Sequence, residues 1–255
     1  VYRPGEQAPE PESPVRIERN GDMIILANSE VEYRLSAGHS PIMEVYDRGR
    51  LQATAETTRG LYLVDQRGQL ATASATGSEI RIEAAGPVTA CVRIEGDYTT
   101  TKGEVLGRHI TRVELNAGMP FARVTHTLVL TKDTNEVWFR EVGWEFDVPE
   151  GKSPEVFFAT SRVDPSSFYQ VNLGKQASIL QESYYRFGAG EKRFRINQDG
   201  KEVKSGSEMG DWMMMKNSAG GLLISCRESA RQHPKEFQVS GHRVVIKLFS
   251  PEAGE

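Results

Sequence analysis

Apolar and polar residues alternate with a period of two along most of the chain. The alternation is clear in residues 15–26, 30–36, 109–116 and 121–130. This period is typical of β-strands that bury one face, whereas a helical period of 3.6 is nearly absent. Residues 174–187 have some helix propensity, but their side chains also alternate, and we predict a strand there.

Turn-forming residues separate these strand patterns. Asn20 and Gly21 lie between two alternating runs, and glycine adopts the positive φ that a tight hairpin turn requires. Many short strands without the rhythm of a parallel sheet predict an all-β fold, a large antiparallel two-sheet β-sandwich of at least a dozen strands. Further turn signals are Gly68, Gly86 with Pro87, Gly118 to Pro120, Asp199 with Gly200, Gly220 with Gly221, and Gly241.

The two ends of the chain differ in composition from its centre. Residues 1–14 are rich in Pro and Glu and predict a flexible linker. Residues 15–251 form the predicted β-sandwich domain, and an alternative assigns residues 15–70 to the last strands of a preceding small barrel. Residues 252–255 are expected to be a cut end of a longer protein. No apolar stretch approaches the length of a transmembrane helix, so no membrane partner is predicted.

The charge of the chain restricts its partners. A formal net charge of -4 and a pI near 5.9 argue against a nucleic-acid partner, because binding phosphates requires concentrated Lys and Arg. A local basic cleft could still bind an acidic polymer. Cys91 and Cys226 each lie in an apolar run, which predicts buried thiols rather than a zinc site or a disulfide framework.

Two short segments carry clustered oxygen ligands. Residues 133–136 (DTNE) and 197–202 (NQDGKE) offer the carboxylates and amides that calcium prefers, but neither has the loop spacing of a known calcium cage. Hairpin turns explain both segments equally well. We therefore predict no cofactor and no metal ligands, with calcium as the alternative.

The predicted hairpin over residues 109–130 carries polar side chains on both faces. Alternation places His126 on the core face, where a neutral imidazole with one or two hydrogen bonds is favoured over a catalytic role. Arg112, Glu114 and Arg123 share the opposite face. Two interpretations remain open, a solvated ion-pair ladder in which Glu114 pairs with an arginine, and the floor of a groove that binds carboxylates.

Three segments resemble a known family in the order and type of their strands. They are residues 84–98 (AAGPVTACVRIEGDY), 112–131 (RVELNAGMPFARVTHTLVLT) and 210–251, which begins GDWMMMKN. The chain from Val15 to Pro251 resembles the central β-sandwich of exo-rhamnogalacturonan lyase-like (YetA-like) proteins, a sandwich of the galactose-mutarotase kind. The resemblance implies a longer protein in which a small barrel and a C-terminal helical α/α toroid flank this sandwich.

The sequence departs from that family at two places. Ser229 and Ala230 stand where aromatic residues are expected, and Phe249 and Ser250 replace an expected Trp. Stacking of aromatic rings on sugars is therefore in doubt at that edge. Trp212, which precedes three methionines, could instead form a binding edge, although a strand buried on both faces also explains the run.

The resemblance implies a polysaccharide lyase that cleaves uronate-containing, pectin-type glycans by β-elimination. Such a reaction needs a cation for the substrate carboxylate and groups that remove and supply protons. For three of the candidates we favour a structural alternative, namely a strand cap for Tyr98, loop surface for His109 and a solvated turn for Lys235. The candidates are Arg112, Arg123, Arg231 and Trp212 for substrate binding, and Tyr98, His109, His233 and Lys235 for catalysis.

Two hypotheses about function follow. In the first, the chain is the sandwich module of a lyase that acts on an acidic oligo- or polysaccharide and is incomplete without the C-terminal helical domain of the same chain. In the second, it is a non-catalytic sandwich that binds glycans or packs domains together. The resemblance also implies an extracellular or periplasmic location, where such polymers occur.

Overall fold

The computed structural model describes residues 11–183 and 193–251, and within these ranges the protein consists of β-strands and turns without helix. The predicted all-β class is confirmed. The strands are β1 (Arg16–Asn20), β2 (Met23–Ala27), β3 (Val31–Ser36), β4 (Ile42–Asp47), β5 (Arg50–Thr54), β6 (Leu61–Asp65), β7 (Leu70–Ala73), β8 (Glu79–Ala85), β9 (Thr89–Thr100), β10 (Val105–Asn116), β11 (Ala122–Leu130), β12 (Phe139–Asp147), β13 (Glu155–Ala159), β14 (Phe168–Asn172), β15 (Gln176–Gln181), β16 (Phe194–Gln198), β17 (Lys201–Gly206), β18 (Trp212–Lys216), β19 (Gly221–Ser225), β20 (Lys235–Ser240) and β21 (Arg243–Phe249).

The strands form two antiparallel sheets, as predicted. The large sheet has 17 strands, and the small sheet has four strands in the order β14, β13, β18, β19. In the large sheet, β12 joins β6 on one side to β21 on the other, and β21 continues through β20, β15 and β16 to β17. At another end, β8, β9, β10 and β11 are consecutive neighbours.

One hydrophobic core includes residues of both sheets. Alternate residues of both sheets contribute to it, so that Leu63 and Phe237 of the large sheet belong to the same cluster as Phe158 and Met213 of the small sheet. Burial of each large apolar side chain stabilises the fold by roughly 1.5 to 3 kcal/mol. In strands such as β3, β9 and β10, the period-two pattern of the sequence therefore reports which face is buried.

Predictions for the first hairpin, for residues 174–187, for a preceding barrel and for the chain ends can be compared with the structure. Gly21 has a φ of 61° in the turn between β1 and β2, which confirms the first hairpin. Strand β15 covers the first part of the stretch 174–187, and residues 184–187 lie outside the described ranges. The alternative assigns residues 15–70 to a preceding barrel. Strands β1 to β7, which begin within these residues, are hydrogen-bonded into the large sheet. The linker over residues 1–10 and the end at 252–255 also lie outside the described ranges and stay predictions.

Sequence patterns predict burial only in part. Cys91 is free but only half-buried, whereas Cys226, also free, packs against the core. Val124 and Leu130 lie on the core side of β11 but are exposed, because β11 pairs only with β10 in the described chain and forms a sheet edge. Strand β18 is not buried on both faces, since Trp212 is only half-buried. In the ranges described, no helix is long and apolar enough to cross a membrane.

Candidate functional site

Arginine and glutamate side chains alternate in rows across the outer side of strands β8 to β11, which we call the charged face. Arg81, Arg93 and Arg112 are cross-strand neighbours in one row. Carboxylates lie between them: Arg93 donates to Glu95 at 2.7 Å, and the Arg112 Nε and Nη2 atoms donate to Glu83 at 2.7 and 3.0 Å. The charged face is therefore an ion-pair ladder.

The position of Arg123 confirms one part of the sequence prediction and corrects another. Arg123 lies opposite Glu114, and both share the outer side of the sheet with Arg112, as the alternation predicts. However, Arg112 binds Glu83 of β8 rather than Glu114, because β8 lies within reach across β9. Arg112 is paired with Glu83 in the ladder, whereas no ion pair among the described residues involves Arg123.

Four polar side chains form a hydrogen-bonded chain on the inner side of β9, β10 and β11. His126 Nε2 lies 3.2 Å from the Tyr98 hydroxyl, and His126 Nδ1 lies 2.9 Å from Thr111 Oγ1. Thr111 Oγ1 also lies 3.3 Å from His109 Nδ1. The prediction that His126 is a core-face histidine with satisfied ring nitrogens is confirmed.

Burial makes this chain electrically neutral near neutral pH. Burial lowers the pKa of His109 and of His126 from 6.5 to about 4, and it raises the pKa of Tyr98 above its ordinary value. Both structural alternatives considered for these residues are wrong: Tyr98 does not cap a strand but is fully buried within β9, and His109 is buried within β10 rather than on a loop. The group is built as a packed polar contact inside the core.

Lys235 and His233 belong to a separate part of the fold. Lys235 begins β20, and its buried ammonium donates to Gln232 at 3.1 Å, so it is not the solvated turn residue of the structural alternative. Burial lowers its pKa. Arg231 lies 3.7 Å from Glu228, and His233 is half-buried. Strand β20 pairs with β15 and β21 and with neither β9 nor β10, so the pairing of strands does not place Lys235 beside Tyr98.

Trp212 lies on the outer side of the small sheet in an exposed apolar surface that we call the aromatic face. Its ring centroid is 6.0 Å from that of Phe168, which in turn is 5.6 Å from that of Phe157. The indole N–H donates to the Pro165 carbonyl at 3.2 Å and so fixes the ring. Phe168 is 48% exposed. The aromatic face consists of Phe157, Phe168, Trp212, Met214 and Leu223.

Polar side chains border the aromatic face. The Lys216 ammonium lies 3.2 Å from the Glu155 carboxylate and 5.0 Å from the centroid of the Phe157 ring. Gln170 donates its amide to the same Glu155. A ring surface with a cation and an amide beside it offers both an apolar contact and hydrogen bonds to one ligand.

A second surface, which we call the polar depression, was missed by the sequence analysis. It is an open concavity of about 490 Å³ on strands β15, β16, β20 and β21. Its polar residues alternate with core residues, a pattern that sequence reasoning assigns to ordinary solvent-facing positions. Only the pairing of strands distant in sequence brings them together. The lining includes Gln176, Ser178, Arg195, Asn197, Gln238 and Lys247.

Metal-binding groups do not assemble in the described ranges. No three His, Cys, Asp or Glu side chains there are placed to hold one ion. In the first proposed calcium segment, Asp133 accepts hydrogen bonds from the backbone and amide of Asn135. In the second, Asp199 accepts hydrogen bonds from the backbone N–H groups of Lys175 and Gln176. Both carboxylates thus stabilise turns.

The fold and these surfaces define a two-sheet β-sandwich domain with exposed contact faces. The sequence profile of the PcRGLX-like protein central beta sandwich domain matches residues 15–155, which is more than half of the chain. The chain therefore belongs to this family, the β-sandwich domains of rhamnogalacturonan lyase-like proteins. No curated protein matches the sequence significantly. The matched segment ends in β13, before most of the aromatic face and the polar depression.

Proposed function

We propose that this domain handles carbohydrate within a lyase-like protein and holds an acidic glycan against the aromatic face. The observation that carries the proposal is the contact between the rings of Phe168, which is 48% exposed, and Trp212, on the same face as the Lys216 ammonium. Trp212 is the one substrate-binding candidate from the sequence that lies in a surface of this kind.

The chemistry of the aromatic face suits a uronate-containing sugar. A pyranose ring has an apolar side formed by its C–H groups, and aromatic rings provide a large apolar surface for it at little conformational cost. Lys216 supplies a positive charge for the uronate carboxylate, and Gln170 supplies an amide for hydroxyl groups. Glu155 already contacts Lys216, so the added charge attraction is weak and depends on salt.

The proposal also concerns where the glycan is cleaved. The candidate acid and base groups His109 and Tyr98 are buried and neutral, which fits a structural role, whereas His233 and Lys235 lie at the start of β20. We therefore place the bond-breaking step of the lyase in the C-terminal helical domain that the resemblance implies. An extracellular or periplasmic location belongs to the same proposal.

Isothermal titration calorimetry tests the proposal, because its signal does not depend on Trp212. Oligogalacturonate and a neutral galactan oligomer of equal length are titrated into the protein. We expect weak binding that favours the acidic oligomer and decreases with salt. Replacing the stacking ring, Trp212→Ala or Phe168→Ala, is expected to weaken binding about tenfold, which corresponds to about 1.4 kcal/mol.

Matched variants separate the aromatic face from other surfaces. Trp138→Ala removes a tryptophan that is 57% exposed elsewhere and is expected to leave binding unchanged. Lys216→Met is expected to reduce the preference for the acidic oligomer about two- to fivefold, and Lys132→Met, at another exposed ion pair, is the control. Binding that survives loss of both Phe168 and Trp212, or dimerisation that these changes abolish, would favour the domain-packing hypothesis.

A further inference from the structure

Three neutral polar side chains form a row across the floor of the polar depression. Asn197 of β16 and Gln238 of β20 are the cross-strand partners of Ser178 of β15, so all three point to the same side of the sheet. Within the described residues, none of the three side chains has a hydrogen-bond partner, and neither does that of Gln176 beside them. Four unused hydrogen-bonding side chains thus line one concavity.

Ser178 makes this arrangement unusual. Ser178 is only 6% exposed, but its hydroxyl oxygen is not one of the buried unpaired atoms of the described residues and so remains accessible. The nearest polar groups across the sheet, Asn197 and Gln238, leave it unpaired. A hydroxyl that is largely withdrawn from solvent but lines an open concavity is a hydrogen-bonding position that a ligand can complete.

Most charged residues of the depression already have partners within the protein. Lys247 and Glu236 are both buried and pair at 2.9 Å, and the Ser250 hydroxyl donates to the same carboxylate at 2.9 Å. Arg195 pairs with Glu182, and Asp199 accepts two backbone N–H groups. These partners hold the charged groups in place and leave the neutral row as the unused part of the surface.

Charge also selects against ionic ligands. An anion entering the depression would approach the carboxylates of Glu236, Asp199 and Glu202, and a cation would approach Lys247 and Arg195. A neutral molecule with several hydroxyl groups avoids both conflicts and can donate to and accept from the amides. The volume of about 490 Å³ lies within the usual range of small-molecule sites.

We infer that the polar depression is a second carbohydrate-binding site, which takes an uncharged pyranose through Ser178, Asn197 and Gln238. Leu180 also lies against this lining but is only 1% exposed, so the contacts to the sugar come from the polar side chains. This site lies on the large sheet and is separate from the aromatic face on the small sheet. It binds a neutral sugar residue, whereas the aromatic face prefers an acidic one.

The test compares sugars that differ only in charge. Methyl galactoside, methyl glucoside and methyl mannoside are titrated together with galacturonate and galactosamine, and NMR follows the side-chain amide signals of Asn197, Gln238 and Gln176. We expect at least one neutral glycoside to shift these signals saturably and to bind at least fivefold more tightly than both charged sugars. Equal or tighter binding of galacturonate, or no shift with any neutral glycoside, would overturn the inference.

Variants separate a ligand site from an ordinary polar surface. Asn197→Ala combined with Gln238→Ala is expected to weaken binding of the neutral glycoside at least tenfold, with Gln170→Ala on the aromatic face as the control. Ser178→Ala is expected to weaken binding several-fold without lowering the melting temperature, because the hydroxyl has no partner to lose. Lost stability with unchanged binding would make Ser178 structural. Oligogalacturonate titration of these variants reports on the aromatic face separately, so either site can fail alone.

Discussion

The charged face of β8 to β11 and the aromatic face of the small sheet are both exposed sheet surfaces, but they use their side chains differently. On the charged face, arginines such as Arg93 and Arg112 are held by neighbouring carboxylates. On the aromatic face, Phe168 is 48% and Leu223 is 61% exposed, although such side chains are usually covered. The arginines of the charged face are paired with carboxylates of the same surface. The exposed apolar side chains of the aromatic face remain available to contact a ligand.

This difference shows that the kind of residue is a weaker guide to a binding surface than its state of pairing. Arg112 has the chemistry to bind a uronate, but Glu83 occupies both of its donor positions on that side. Trp212 uses its only donor on Pro165 and keeps its ring beside Phe168. An exposed ring requires no partner to be displaced before a ligand binds, whereas Arg112 must first release a carboxylate.

The largest effect is expected from acid, and it should concern the strands that carry the charged face. Burial lowers the pKa of His109 and His126 to about 4, so the folded protein binds fewer protons than the unfolded chain between pH 6.5 and 4. Stability is therefore fully present above pH 6.5 and falls as the pH decreases through this window, by roughly 1 to 3 kcal/mol for each histidine. Urea unfolding at a series of pH values measures this fall.

A variant of His126 sharpens this expectation. His126→Ala removes packing, leaves Tyr98 without a partner and leaves Thr111 with His109 alone, so we expect a loss of about 1 to 3 kcal/mol at pH 7 with unchanged glycan binding. The stability of this variant should also decrease less steeply between pH 6.5 and 5, since it has only one of the two imidazoles with a lowered pKa. A flat profile for the wild type, or lost glycan binding at an unchanged melting temperature, would refute the structural role of His126.

A much smaller effect on stability is expected when one ion pair of the ladder is removed. Arg112 lowers the pKa of Glu83, so their attraction is present above the ordinary carboxyl range and is lost as the pH falls through the lowered pKa. Arg112→Gln should lower the melting temperature slightly at pH 7, and less so at high salt. Arg123→Gln is the control, because no described residue forms an ion pair with Arg123. Loss of oligogalacturonate binding in Arg112→Gln would indicate that the substrate carboxylate binds at the charged face instead.

The fold was largely predictable because its signal is local. The alternation around Arg112 and His126 fixed which side of β10 and β11 faces the core, since successive side chains of a strand point to opposite sides. The exposure of Val124 and Leu130 was not predictable, because the edge position of β11 depends on which strands pair across the whole sheet.

The candidate sites were less predictable, because they depend on contacts between distant segments. Trp212 was recognised from its unusual run of methionines, but its neighbour Phe168 lies 44 positions earlier and meets it only through β13. Ser178 and Gln238 give no signal in sequence, since serine and glutamine are common on exposed strand positions. Their importance comes from the hydrogen bonds that they do not make, which only the assembled sheet reveals.

The most direct test of the aromatic face is a map of the amide signals that oligogalacturonate shifts in a nitrogen-15 NMR titration. We predict that the shifted signals cluster on β14 and β18, around Phe168, Gln170 and Lys216, and include the indole N–H of Trp212. The signals of Arg112 and Arg123 should stay in place. Shifts that centre on Arg112 and Arg123 while the indole N–H of Trp212 does not move would contradict the account.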